Sequence, residues 1–350
     1  DSAPAELVDC VGHDDLMVLM FTSGTTGRSK AVMLSERNFF TTVECQVKFG
    51  DAMLDYKHKH MPEDKNDVLS NFAILPLFHL GTFICLFVWA CKGWALNLSA
   101  DIRDFYRDLG LMHSDAIAVA PMLMEAIYKD VKRGRRARLN GIWNPCGSSA
   151  MFDGAMLAEL AQQGMMITQV YGMTETCGDG IINYEQDEKH IRAVGRPDDH
   201  AEYKLDETGE ICIRGGCVML GYYKDPEATA EVLDADGWFH TGDLARVDED
   251  GFYYITGRKK NIIILDNGEN VSPEELENLL SKCEAVKECI VREKGKKICA
   301  VIYCGEADQQ TVRDFITETN RTLPLYKRMS AVEFSTEPLP RTGTGKLLRK

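Results

Sequence analysis

Thr22-Ser23-Gly24-Thr25-Thr26-Gly27-Arg28-Ser29-Lys30 follows directly on an apolar run, Leu16 to Phe21. The run predicts a buried strand, and the stretch after it predicts a loop built to hold phosphate. Gly24 and Gly27 let backbone approach an anion, the hydroxyls and exposed amides can wrap phosphate oxygens, and Lys30 adds a point charge. A Walker loop needs four residues between its first glycine and a Gly-Lys pair. Here Gly24 and Gly27 stand too close and Lys30 comes too late, so a P-loop NTPase is excluded.

Working outward, residues 35–50 predict a helix capped by Ser35, and Asp55 to Asp67 an exposed polar excursion. Asn71 to Leu77 and Ala116 to Pro121 predict further buried strands separated by helices, the pattern of an α/β layer over residues 1–190. From Ile191 to Gly257 the texture changes to short strands with turn signals, such as Asp206-Glu-Thr-Gly209 and Asp248-Glu-Asp-Gly251. A charged break at 258–261 precedes an α+β domain over 262–350. That domain has strands at 262–265, near 286–292 and at 298–304, and a helix near 308–320. Within it Ser272 predicts a cap, Pro273 a first helical position and Glu275 the far half of a capping box.

The chain of 350 residues carries 40 Lys+Arg against 54 Asp+Glu, a net charge of -14 that argues against nucleic-acid binding. From residue 310 onward the balance reverses, with eight basic residues against four acids, a solvated face or part of an anion site. No apolar run is long enough for a membrane span, and the acidic first residues show no targeting peptide. Twelve cysteines without a Cys-x-x-Cys read as reduced thiols and place the chain in the cytoplasm.

Five further motifs stand in order after the loop: Gly147-Ser148-Ser149-Ala150, Tyr171-Gly172-Met173-Thr174-Glu175, Trp238-Phe239-His240-Thr241-Gly242-Asp243, Gly257-Arg258-Lys259-Lys260 and Pro340-Arg341-Thr342-Gly343-Thr344-Gly345-Lys346. Together with the loop they resemble the adenylate-forming superfamily of AMP-forming acyl- and aryl-CoA synthetases, adenylation domains and luciferases, and they span nearly the whole chain. The resemblance implies a large N-terminal domain of α/β layers with a β-rich subdomain, and a small mobile α+β C-terminal domain. It implies ATP, Mg²⁺, a small carboxylic acid and CoA as the molecules handled. By the same resemblance, Thr22 to Gly27, Lys30, Gly147 to Ser149 and Tyr171 to Thr174 bind the nucleotide. Glu175 and Thr22 hold Mg²⁺, with Thr174 beside a phosphate oxygen. Asp243 takes the ribose hydroxyls, and Arg258 reaches ribose or phosphate. Lys346 bridges carboxylate and phosphate in the adenylation transition state. Lys260 is the hinge on which the C-terminal domain swivels, and the face near Gly268 then serves CoA.

Residue types agree with that chemistry. A carboxylate attacking the α-phosphorus brings two anions together, so the work is charge neutralisation and alignment. His79, in Pro76-Leu-Phe-His79-Leu-Gly81, stands where amino-acid-activating relatives carry Asp, which disfavours an α-amino acid. The apolar Phe83, Ile84, Leu86 and Phe87 after it suit core or acyl channel equally. Asn267-Gly268-Glu269-Asn270-Val271-Ser272-Pro273 is most similar to the medium- and long-chain fatty acyl branch. The chain departs from the family pattern at Ser29, Ala31 and Ser149-Ala150-Met151, where proline, glycine and a small-Pro-apolar turn are usual.

Only about twenty residues precede the phosphate loop, where family members carry a large segment. The expectation is a truncated chain with exposed apolar sheet surface, weak nucleotide binding and little activity of its own. Two other readings stay open: adenylation followed by transfer to a carrier-protein phosphopantetheine, and an inactive nucleotide-binding remnant.

Overall fold

The computed structural model describes residues 12–22, 29–148, 152–178, 180–265, 269–341 and 347–349. The chain resolves into two compact units: Asp1–Lys204 with Cys212–Thr241 and Val247–Tyr254, and Leu205–Ile211 with Gly242–Arg246 and Ile255–Lys350.

The first unit begins with β1 (Leu16–Thr22) and β2 (Lys30–Ser35), antiparallel, with Thr22 opposite Lys30. The expectation of a buried strand at 16–21 is corrected. β1 is the edge of its sheet, only Met20 is buried, and Phe21 is 69% exposed. Ser35 then caps α1 (Glu36–His60) as foreseen: its Oγ accepts from the Asn38 amide at 3.3 Å, while Asn38 Oδ1 accepts from the Ser35 amide at 2.8 Å. α1 outruns the expected residues 35–50, and the excursion at 55–67 is corrected accordingly. Lys57 is buried in the last turn, where its ammonium donates to the Asn66 carbonyl and pairs with Asp64 at 3.0 Å. A long polar stretch can stay helical when its buried charge is matched in this way.

Six strands form the central sheet: β3 (Ser70–Ala73), β4 (Ala95–Leu98), β5 (Ala116–Val119), β6 (Asn144–Ser148), β7 (Thr168–Gly172) and β8 (Gly180–Asn183). Their order is β4-β3-β5-β6-β7-β8, parallel except for the last pair. The connecting helices are α2 (Leu80–Lys92), α3 (Phe105–Leu111), α4 (Pro121–Lys132) and α5 (Gly154–Gln162). Strand alternation divides the core. Ile117 and Val119 join Leu109, Met124, Ile127 and Leu160 from α3, α4 and α5, whereas Ala116 joins Met53 of α1 and Trp89 of α2. Helices therefore cover both faces, and the polar residues that the strands do bury, such as Asn144, are hydrogen-bonded: its amide donates to the Met166 carbonyl at 2.8 Å and to the Thr168 hydroxyl at 2.9 Å.

The β-rich stretch contributes β9 (Ala201–Leu205), β10 (Glu210–Gly215), β11 (Gly221–Tyr222), α6 (Pro226–Ala230), β12 (Phe239–Val247) and β13 (Tyr253–Arg258). β11 pairs with β2, so residues nearly two hundred apart share one sheet.

Near Phe252, and stacked on its ring, His190 reaches Asp187 at 3.0 Å, Asp250 at 3.1 Å and Asp248 at 3.9 Å. The hydrogen bond that Asp187 accepts from the imidazole raises the His190 pKa above its ordinary value, while Lys189 and His190 lower that of Asp250. A raised imidazole stabilises fully below the unfolded value of about 6.5 and loses that contribution as pH rises through its folded value. We expect melting temperature to fall as pH rises above about 6.5, and His190→Gln to flatten that fall. Equal slopes in the two proteins would remove His190 as its source.

The second unit holds β14 (Ile263–Ile264), β15 (Asn270–Val271), α7 (Pro273–Leu280), β16 (Glu288–Lys294), β17 (Lys297–Tyr303), α8 (Gln309–Thr322) and β18 (Ala331–Ser335). β17 lies between antiparallel β16 and parallel β18, over a core including Leu276, Leu280, Ile298, Ile302, Val312 and Ile316. Ser272 does cap α7 by position, with Pro273 first in the helix, but the expected capping box is absent. The Ser272 hydroxyl donates instead to the Thr256 carbonyl at 2.7 Å, and Glu275 pairs with Lys327 at 2.8 Å.

Eleven of the twelve cysteines are among the described residues, and they are thiols. No helix among the described residues is long and apolar enough to cross a membrane.

Candidate functional site

In an open sheet of mostly parallel strands, ligands gather at the carboxyl ends. Gly147 ends β6 within one residue, Tyr171 and Gly172 end β7, and the segment from β3 leads to His79. Two glycines there are steric necessities. A Cβ on Gly147 would stand 2.4 Å from the Phe152 ring, and one on Gly180, opposite Gly172, would stand 1.8 Å from the Tyr171 carbonyl oxygen.

Beyond Gly172 the chain folds into a single turn over Thr174–Thr176, starting from Met173. The Thr176 hydroxyl accepts from the Met173 amide at 3.4 Å and donates to its carbonyl at 3.2 Å. The Met219 amide donates to the Glu175 carbonyl at 2.8 Å. This fixes the backbone that carries Thr174 and Glu175.

Tyr222 completes the cluster. Its hydroxyl donates to Glu175 Oε1 at 2.9 Å, and Lys30 Nζ lies 4.4 Å from the centre of its ring. Burial, then the charge of Glu175, pushes the phenol pKa up, so Tyr222 stays a donor. Sequence reading missed this residue. The available signal was an aromatic pair after Gly221, whose meaning depends on β11 pairing with β2 and so placing Tyr222 between Lys30 and Glu175. Thr22, opposite Lys30, adds a hydroxyl at the same hairpin end.

His79 is exposed at the amino end of α2, 4.8 Å from the Phe78 ring, and its carbonyl accepts from Thr82 and Phe83. The next residue, Leu80, is buried and approaches the turn at Gly178. Of the apolar residues after it, Phe83 and Phe87 pack edge-on against Phe39, and Ile84 is fully buried. These are core positions. Leu77 and Phe78 are the exposed apolar side chains beside His79.

In the second unit the structure pairs two of the expected nucleotide residues. Arg258 Nε lies 2.6 Å from Asp243 Oδ1; Asp243 is 4% exposed, and the Arg258 side chain 43%. Glu210, a buried carboxylate that sequence reading passed over, accepts from the Gly242 amide at 2.7 Å and pairs with Lys259 at 2.7 Å. It thereby braces the neighbours of both Asp243 and Arg258. Lys260 follows, exposed in the Lys259–Asn261 turn.

Glu175, Lys30, Thr22 and His79 thus belong to one unit, and Asp243 and Arg258 to the other. Ser23, Gly24, Thr25, Thr26, Gly27, Ser149, Gly268 and Lys346 lie outside the described residues, as does the Ser148 side chain. Three basic residues of the tail carry acid partners: Lys327, Arg341 and Arg349 pair with Glu275, Glu288 and Glu277.

A family model for AMP-binding enzymes matches residues 2–223, and one for the AMP-binding enzyme C-terminal domain matches residues 275–346. The chain is similar to a long-chain-fatty-acid–CoA ligase of Salmonella typhimurium, 31% identical over 96% of this chain and 61% of that one. It is also 31% identical to a feruloyl-CoA synthase of an Amycolatopsis species, over 100% of this chain and 71% of that one. Among solved structures, O-succinylbenzoate coenzyme A synthetase from Bacillus subtilis in complex with AMP matches with a TM-score of 0.79 at 25% identity, covering 100% of this chain and 71% of that one. The same enzyme in complex with ATP and magnesium matches at 0.78 and 25% identity, covering 100% and 72%. The fold is thus the adenylate-forming one expected from the motifs. The chain spans 61% of the length of the Salmonella ligase it matches.

Proposed function

Because the chain belongs to the family of AMP-binding enzymes, we propose that it serves an AMP-forming acid–CoA ligase. In the first step a carboxylate oxygen bonds to the α-phosphorus of ATP. The bridging α–β P–O bond breaks, and pyrophosphate leaves with the electron pair. In the second step the CoA thiol attacks the acyl carbon, its proton is lost, and AMP departs.

One observation carries this reading: the Lys30–Tyr222–Glu175 cluster beside the hairpin end that Thr22 and Lys30 define. A cation and an oriented carboxylate, close to a loop of glycines and hydroxyls, suit a triphosphate and its metal. Glu175 and Thr22 offer hard oxygen donors of the kind Mg²⁺ takes, and the ion would neutralise phosphate charge. Asp243 would accept from the ribose, and Lys260 would be the pivot between the two steps.

For the acid we propose an apolar carboxylate, fatty or aryl. His79 offers no carboxylate to an α-ammonium, and the exposed Leu77 and Phe78 flank it. The relatives act on long-chain fatty and feruloyl acids by name. ATP–pyrophosphate exchange over fatty, cinnamic-type and amino acids tests this, with CoA and a pantetheinyl carrier compared as acceptors. We expect fatty or cinnamic-type acids to exceed amino acids by about tenfold or more, the discrimination that polar mismatch supplies. Preference for an amino acid, or no exchange with any acid, would overturn the proposal.

A further inference from the structure

We infer that Cys45, Asp198 and His200 form a binding site for a divalent transition ion of the zinc kind, a set that shares no residue with the candidate nucleotide site and does not depend on the adenylation reading. Cys45 lies in the first half of α1, and the other two lie in the segment that enters β9; all three belong to the first unit. One ligand atom from each (a sulfur, an imidazole nitrogen and a carboxylate oxygen) lies within 4.8 Å of the other two. Cys45 is buried, and the side chains of His200 and Asp198 are 13% and 27% exposed. The carboxylate is held in place: Asp198 Oδ1 accepts from the His200 amide at 3.0 Å, and its Oδ2 lies 3.0 Å from His200 Nδ1. Asp199, 3.6 Å from the same nitrogen, is engaged on the exposed side by Lys48 at 2.7 Å.

The donor set selects the ion. Thiolate and imidazole suit zinc and cobalt(II), whereas magnesium and calcium take oxygen ligands. In a tetrahedral zinc site such ligand atoms stand roughly 3.3–3.6 Å apart, so binding asks the three to draw together by about 1 Å. A water takes the fourth position. As the bond to sulfur forms, the Cys45 thiol gives its proton to solvent, and the ion offsets the charges of thiolate and carboxylate where little water reaches them. The same face of α1 already holds the β-rich stretch. Asn38, two turns before Cys45 on that face, donates from Nδ2 to the Gly216 and Val218 carbonyls at 2.7 and 2.8 Å. The ion would add a second tie, fastening α1 to the entry of β9. No Cys-x-x-Cys spacing announces the site, because its ligands meet only when α1 packs on the segment before β9.

Cobalt(II) titration of the reduced, chelator-stripped full chain tests the site, since thiolate ligation gives a near-ultraviolet charge-transfer band that oxygen ligands such as Glu175 do not. We expect one equivalent to bind with that band and with the strong visible bands of a tetrahedral ion. Zinc should bleach both, and excess magnesium should leave them. Zinc should also raise the melting temperature by a few degrees, as an ion that binds the folded state does. Cys45→Ser should remove the charge-transfer band, and His200→Asn and Asp198→Asn should each weaken binding by about a hundredfold or more. Cys91→Ser, which alters an exposed thiol, should change nothing. No band in the unaltered chain, or a band that survives Cys45→Ser, overturns the site. Binding as tight in His200→Asn and Asp198→Asn as in the unaltered chain overturns the three-residue ligand set. Binding without a higher melting temperature overturns the fastening role. If Cys45→Ser fails to fold, the affinities of the other two variants decide.

Discussion

Lys346→Ala is expected to lower acyl-adenylate formation by about a hundredfold to a thousandfold, the usual loss when a preorganised charge aimed at a developing anion is removed. Thioester formation from synthetic acyl-adenylate should be almost untouched. The reasoning begins with charge: in the first step a carboxylate meets a triphosphate, and an ammonium between them is worth most where both are anionic. In the second step the phosphate is a leaving group, and a thiol is the nucleophile. Rapid-quench measurement of each step separates the outcomes. Equal loss in both would mean that Lys346 supports nucleotide binding generally and is not a first-step group.

What the sequence disclosed and what it hid follow from the range of the forces involved. Local signals were legible: the Ser35 cap and the Pro273 start of α7. They depend on residues within a few positions of each other. Exposure of β1 was not legible, because an apolar run reads alike whether a second layer covers it or not. The length of α1 was hidden for the same reason, since Lys57 is tolerable in a buried turn only once Asp64 and the Asn66 carbonyl fold back onto it. In the site, motif order pointed to Glu175, Lys30, Asp243 and Arg258. Tyr222 and Glu210 were missed because their roles come from tertiary pairing. Tyr222 meets Glu175 across 47 positions. Glu275 shows the converse error: its spacing from Ser272 suits a capping box, yet an ion pair with Lys327 takes it elsewhere.

Asp243→Ala should weaken ATP binding by about tenfold to a hundredfold while leaving the fold in place. A carboxylate accepting from ribose hydroxyls contributes roughly 1.5–3 kcal/mol through charge-assisted hydrogen bonds, and each 1.4 kcal/mol or so is a factor of ten. The stability question turns on Arg258, the partner left behind. Breaking a fully buried pair strands a charge and costs several kcal/mol. The Arg258 side chain, however, is 43% exposed, so water can replace Asp243 around its guanidinium. The Glu210 brace also remains, holding the Gly242 amide and Lys259 independently of position 243. A melting temperature lowered by only a few degrees is therefore expected alongside the loss of affinity. Calorimetric titration with MgATP and a thermal melt on the same preparation read both quantities. Unchanged affinity would remove Asp243 from the nucleotide site and leave it as the structural partner of Arg258. Loss of the cooperative melt would instead show that the Asp243–Arg258 pair holds the unit together.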